Sequence, residues 1–274
     1  MKNRLLFGMV LLMLTVRLIA QGIVVNKTNR AKVGFSIGEL KSISTYEYGI
    51  AKGIVVNKTD GTNIEIPVED VNSISTYGYD ISQYIGIASG HYYVDLGLPS
   101  GTMWAMFNIG ASCPEDYGDY YAWGETTTKT EYSWATYKYG SSEKNVDKIG
   151  MDIAGTKYDV AHVKWGGGWR IPTQKQFQEL IDNTTSTWIT HNDVNGLKLV
   201  SKKNNSYIFL PAAGGMWDYL SNRSRYGYYW SSENHKYKDL SHYSYDLEIY
   251  SGGVDFEHCR YRYIGHSVRP VFKK

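Results

Sequence analysis

The chain repeats itself with an offset of 31 residues. GIVVNKT at residues 22–28 recurs at 53–59, and SISTY at residues 42–46 recurs at 73–77. Two separate strings sharing one offset mark a duplicated supersecondary unit rather than a chance match. Within each copy the apolar side chains fall on alternate positions, Val33, Phe35 and Ile37 in the first and Ile64, Ile66 and Val68 in the second. That is the period of a strand with one buried face. Asp60-Gly61 supplies hairpin-turn chemistry in the second copy, and Asn29-Arg30 stands at the equivalent place in the first with a weaker signal. One copy is too small to bury a face alone, so the pair is expected to form one small β unit over residues 21–80, acting as a spacer or stalk.

Before the repeats, Lys2 and Arg4 precede a largely apolar run from Leu5 to Val16, and Ala20 offers a small residue before Gln21-Gly22. This pattern predicts a secretory signal over residues 1–20 and hence export to the cell surface or outside the cell, with the periplasm as an alternative place and a retained membrane anchor as the alternative reading of the segment. The run falls short of the roughly 20 apolar residues a membrane span needs, so no span is expected once the signal is removed. Removal takes Lys2, Arg4 and Arg17 away and leaves 26 basic against 27 acidic residues. A near-neutral chain has no electrostatic basis for nucleic-acid binding. Cys113 and Cys259 could pair after export, but their separation along the chain says nothing about their distance in space.

The chain has 274 residues, enough for one or two compact domains, and its 28 Gly and 25 Tyr against 6 Pro favour many strands and turns. The apolar pattern lapses into Ser, Gly and Gln at residues 81–89, the expected linker, and a second domain follows over residues 90–274. One helix is well signalled there: Pro172 at the entry, Thr173 as N-cap, Gln176 completing a capping box, Phe177, Leu180 and Ile181 on one face, and Asn183 at the end. A shorter helix is expected over residues 157–163 around Asp159 and Ala161. Towards the C-terminus, Tyr245, Leu247 and Ile249 alternate with Asp246, Glu248 and Tyr250, Ser251-Gly252-Gly253 turns, and Val254 and Phe256 alternate with Asp255 and Glu257. This predicts a hairpin with an apolar and a polar face. A last strand is expected over residues 266–271, with Pro270 at an edge or end.

Seven strings occur in order: YVDLGLPSGTMWA (93–105), NIGA (108–111), PEDYGDYYAWGET (114–126), WGGGWRIPT (165–173), FLPAAG (209–214), YYWSS (228–232) and SVRPV (267–271). Together they resemble the Fibrobacter succinogenes major paralogous domain, a family of exported bacterial proteins, over roughly residues 90–274. The 31-residue copies resemble short β repeats that precede this domain in surface proteins of Bacteroidetes-type bacteria. The resemblance implies an α+β fold: a C-type-lectin-like domain with small mixed or antiparallel sheets, one or two helices and long loops, related to formylglycine-generating enzymes and preceded by a small all-β repeat unit. It implies no reaction.

The residues themselves carry no catalytic motif. The Glu-Pro-Asn, Gln-Pro-Asp and Trp-Asn-Asp strings of calcium-dependent lectins are missing, no cysteine sits at zinc spacing, and no HExxH occurs. Glu115, Asp116, Asp119 and Glu125 could supply a carboxylate pair, and His162 or Cys259 could join them in a pocket, but sequence spacing brings none of these together. Gly166-Gly167-Gly168 lacks phosphate-loop spacing and reads as a tight turn. The expectation is a non-enzymatic protein with no metal and no cofactor.

Residues 217–266 contain ten of the 25 tyrosines, interleaved with Ser, Asn, Asp, His and Arg. Tyr offers a large apolar face and a hydroxyl while freezing only two torsions, the mixture that adaptable protein-binding surfaces use. The candidate contact residues are Trp217, Asp218, Tyr219, Tyr226, Tyr237, Tyr243, Tyr250, Asp255, Glu257, Arg260, Tyr261 and Tyr263. The expected partner is a protein or glycan ligand at the cell surface, and alanine at Tyr261 and Tyr263 is expected to weaken capture with little change in melting temperature. The alternative roles are a structural subunit or cap of a surface assembly and, from the resemblance, an enzyme like the formylglycine-generating ones, for which Cys259 would have to supply the reactive thiol. Relatives of the implied fold are diversified by retroelements acting on Asn codons, which would make Cys259, Tyr261, Tyr263, Ile264 and His266 variable positions.

Overall fold

The computed structural model of the chain describes residues 22–27, 32–36, 40–48, 51–77 and 86–273. The expected signal segment, the Asn29-Arg30 turn and most of the expected linker lie outside these residues. The chain divides into two compact units, with the boundary between residues 81 and 82.

The first unit is all β. Its strands are β1 (Gly22–Lys27), β2 (Lys32–Ser36), β3 (Leu40–Tyr48), β4 (Ala51–Lys58), β5 (Asn63–Pro67) and β6 (Val71–Tyr77). They form two antiparallel sheets in the orders β2-β1-β6 and β3-β4-β5. Each sheet therefore holds the first two strands of one repeat and the SISTY strand of the other. The exchange is symmetric to the residue: Val25 faces Val33 and Ile74, and 31 positions on, Val56 faces Ile64 and Ile43. Even the register shift is shared, at Lys27 opposite Val71 and at Lys58 opposite Leu40. Val25, Ile54, Val56 and Ile66 are buried in one core, with Val33, Leu40, Ile43, Ile64 and Val71 packed on it, so strands of both sheets meet in it.

In the second unit, β7 (Gly86–Ala88), β8 (His91–Val94), β9 (Thr102–Ala105) and the final strand of the chain form one sheet, and two short ribbon strands follow, β10 (Gly140–Ser142) and β11 (Asn145–Val146). Residues 86–88, expected in the linker, are thus an edge strand. Two helices come next, Val160–Trp165 and Gln174–Asp182. β12 (Thr184–His191), β13 (Val194–Ser201) and β14 (Tyr207–Pro211) form a meander, β15 (Gly215–Met216) and β16 (Leu220–Ser221) a ribbon. The last sheet holds β17 (Tyr226–Asn234), β18 (Tyr243–Tyr250), β19 (Gly253–Asp255) and β20 (Cys259–Tyr261), and β21 (Val271–Lys273) returns to β9.

This corrects the expected fold class. The unit is mostly β, with several small antiparallel sheets and helices of only six and nine residues, rather than the α+β, C-type-lectin-like domain. The helix signals were local and sound. What they could not convey is that the regular structure around them is almost all short antiparallel strands, most of them two to five residues, joined by long irregular stretches such as residues 106–139. The expected last strand is displaced as well: His266 and Ser267 make isolated bridges to Tyr121 and Tyr229, and the strand begins only after Pro270, which has no N–H to give a ladder.

Trp104, Trp123, Trp169 and Trp230 are fully buried, and so is Arg269. The Arg269 guanidinium binds the Asn108 side chain and the carbonyls of Ala105, Met106 and Phe209 at 2.8 to 3.2 Å, tying the segment before β21 to two other parts of the chain.

Candidate functional site

Strand register sorts the C-terminal sheet into two faces. Tyr226, Tyr228 and Trp230 of β17 stand opposite Tyr250, Glu248 and Asp246 of β18, so these six share one face with Arg260, the partner of Ser244. Tyr229, Leu247 and Ile249 point the other way and are buried, as the sequence alternation predicts.

The candidate residues gather into two ring clusters. In the first, Tyr243 stacks on Tyr261 with centroids 4.6 Å apart, and Tyr261 stacks on Tyr263 at 5.5 Å. Trp134 meets both edge-on, at 5.9 and 4.9 Å. The Tyr261 hydroxyl donates to Glu143 at 2.6 Å, and that carboxylate, followed by the Tyr243 hydroxyl, raises the Tyr261 pKa above the usual phenol range. In the second, Tyr226 stacks on Tyr250 at 5.7 Å and on Tyr228 at 6.1 Å, and Trp217 meets Tyr228 edge-on at 5.7 Å. Arg260 lies 5.2 Å over the Tyr228 ring and bonds Glu248 at 2.8 Å.

The remaining candidates lie apart from these stacks. Tyr219 and Tyr237 are the most exposed large rings, at 70% and 60%. Asp218, Asp255 and Glu257 are exposed, and Asp255 accepts the Glu257 N–H at 3.0 Å, which closes a turn. All the tyrosines among the candidates keep some exposure, and Trp217 and Arg260 are half-buried.

Three expectations need correction. Tyr261 and Tyr263 pack against the central core that contains Trp123, Trp230 and Ile264, so truncating them costs stability as well as contact area. Ile264 and His266 are themselves buried and cannot be freely variable surface positions. The polar face of β18 is not uniformly solvated, because Asp246 is sealed beneath His266 and His258.

Trp134, Glu143, Tyr228, Asp246 and His258 belong to this site and were absent from the sequence-based selection. Trp134 and Glu143 arrive from more than a hundred residues upstream, with no local pattern to betray them. Asp246 was legible as a strand residue and misleading as a solvated one.

Catalytic alternatives are dispersed. Glu115 bonds His191 at 2.9 Å, Asp119 accepts from the Tyr121 hydroxyl at 2.8 Å, and Glu125 bonds Lys129 at 3.0 Å. Asp119 and Glu125 steady their own loops, and Glu115 ties its loop to His191 and Asn192 at the turn between β12 and β13. Both cysteines are free thiols, and burial pushes the Cys113 and Cys259 pKa values up, away from reactive thiolate. Among the described residues no group of His, Cys, Asp and Glu is arranged to hold a metal ion, and no helix is long and apolar enough to cross a membrane. Compared with protein-family models, curated proteins and solved structures, the chain matches none.

Proposed function

We propose that this chain is an exported, non-enzymatic binding protein whose C-terminal sheet presents a tyrosine-rich face to a protein ligand. The supporting observation is the stacked series Tyr243, Tyr261 and Tyr263, braced edge-on by Trp134. Rings held by their neighbours have little rotamer freedom left to lose on binding, which lowers the entropic cost of capture. Rings stacked on one another also use up their faces and turn edges and hydroxyls outward. A sugar needs an open aromatic face on which to lie, whereas a polypeptide surface can use phenol edges and hydroxyls for hydrogen bonds. That chemistry favours the protein ligand over the glycan.

The test uses the purified chain on arrays of immobilised cell-surface proteins and of glycans. The Tyr219→Ser/Tyr237→Ser double variant alters two exposed rings and should melt with the parent protein, while Tyr243→Ser removes one ring of the stack. Capture of one or more arrayed proteins that falls at least tenfold in these variants supports the reading. Capture confined to glycans, capture indifferent to all three substitutions, or a stable homo-oligomer that buries the face would overturn it.

A further inference from the structure

Buried polar atoms are ordinarily partnered, and one part of the sheet departs from that rule. Asp246 Oδ2, both ring nitrogens of His266 and Arg260 Nε are buried without a hydrogen-bond partner among the described residues. These atoms converge. Asp246 Oδ1 lies 3.3 Å from His258 Nδ1, and Asp246 Oδ2 lies 3.5 Å from His266 Nδ1 without hydrogen-bond geometry. Trp230 and Tyr228 stack on the His266 ring at 4.2 and 5.1 Å, closing it off, whereas the His258 side chain is 27% exposed. One carboxylate thus has an imidazole at the surface and another sealed inside. The other charged or titratable groups around it are Arg260 of β20, tied to Glu248 of β18, with Asp255 of β19, the Cys259 thiol and the Tyr228 phenol.

We infer that Asp246, His258 and His266 form a charge-coupled cluster that sets the pH window in which the aromatic face keeps its shape. The two imidazoles are biased in opposite directions. The hydrogen bond to Asp246 raises the His258 pKa, although burial works against it. Burial first, then the charges of Arg260 and His258, hold the His266 pKa well below its ordinary value. Burial raises the Asp246 pKa, although His258 and Arg260 oppose the rise.

The consequences for stability have definite signs. His258 contributes stability that is complete below about pH 6.5, the unfolded value, and is lost as pH rises through its folded value. For His266 the loss comes on the acid side, because below about pH 6.5 the unfolded chain takes up a proton that the folded chain refuses. Asp246 contributes stability below about pH 3.9 that is lost as pH rises through its raised folded value. The two histidines therefore bound a window from opposite sides. His258 joins the turn after β19 to β18, and Arg260 joins β20 to the same strand, so loss of the His258 proton loosens the segment that carries Tyr261.

This deepens the binding reading as regulation of the same face and rests on that reading only for the purpose of the face, since the titration needs no ligand. The experiment follows the histidine ring protons of the full chain by NMR across pH, together with the thermal midpoint. His258 should titrate above about 6.5 and His266 should stay neutral well below it, and Asp246→Asn should move the His258 midpoint down. His258→Gln should flatten the alkaline limb of the midpoint profile and His266→Gln the acid limb. Titration of both histidines together near the ordinary value, or a His258 midpoint that Asp246→Asn leaves in place, overturns the inference. Should His266→Gln fail to fold, the titration of the unmodified chain still decides. An intact titration with no capture by the aromatic face would sink the binding reading alone.

Discussion

Arg269 shows how much of this fold hangs on one side chain. Its guanidinium, sealed from solvent, is held by four oxygens from two separate stretches of chain and has no carboxylate among them. Arginine suits the place because its planar fork reaches several acceptors at once, which the single ammonium of lysine cannot do. Arg269→Leu would leave the Asn108 side chain and three carbonyls with unmade bonds, and we expect a loss of about 3–5 kcal/mol in urea unfolding of the second unit. Arg269→Lys should recover only part of it. The SVRPV string containing this residue stood out in the sequence, but the partners lie 60 to 164 residues away, and no local pattern announces a buried cation.

At the scale of elements, what could be read beforehand is what is decided locally. The helix Gln174–Asp182 has its N-cap at Thr173, its reciprocal bond at Gln176 and its C-cap at Asn183, as the sequence pattern says, because capping is settled within four residues. Thr173→Ala should cost about 1 kcal/mol, measured as a lower urea midpoint with unchanged slope. The shorter helix, expected over residues 157–163, instead runs Val160–Trp165, because the Asp159 carboxylate accepts the N–H groups of Ala161 and His162 and caps it there. Strand partners are another matter. Alternation identified β18 and its apolar face, but that β19 and β20 share one edge of β18 and that β21 returns to β9 depends on contacts distant in sequence. The same holds for the site: its tyrosines were legible from composition, whereas the bracing Trp134, the Glu143 acceptor and the sealed Asp246 were not. Gly214 illustrates the limit from the other side. It sits at φ +69°, where a Cβ would strike the Ser221 carbonyl and the Arg223 backbone, constraints invisible in the string FLPAAG.

For the whole molecule, the two units bury separate cores. Among the described residues, that of the first unit buries Val25, Ile54, Val56 and Ile66 and serves both of its sheets. Ile66→Ala should therefore destabilise the first unit by about 2–5 kcal/mol. Calorimetry should show a low-temperature transition that moves or vanishes, while the transition of the second unit stays where it was. A shift of both together would show the two cores to be energetically coupled.

The reciprocal trade of SISTY strands has a consequence for how such an array can grow. Because each repeat supplies the strand that completes its counterpart, closure is a property of pairs. A third copy spliced in tandem would have no counterpart left to answer it and would carry an open backbone edge, so lengthening by twos preserves the architecture and lengthening by one invites aggregation.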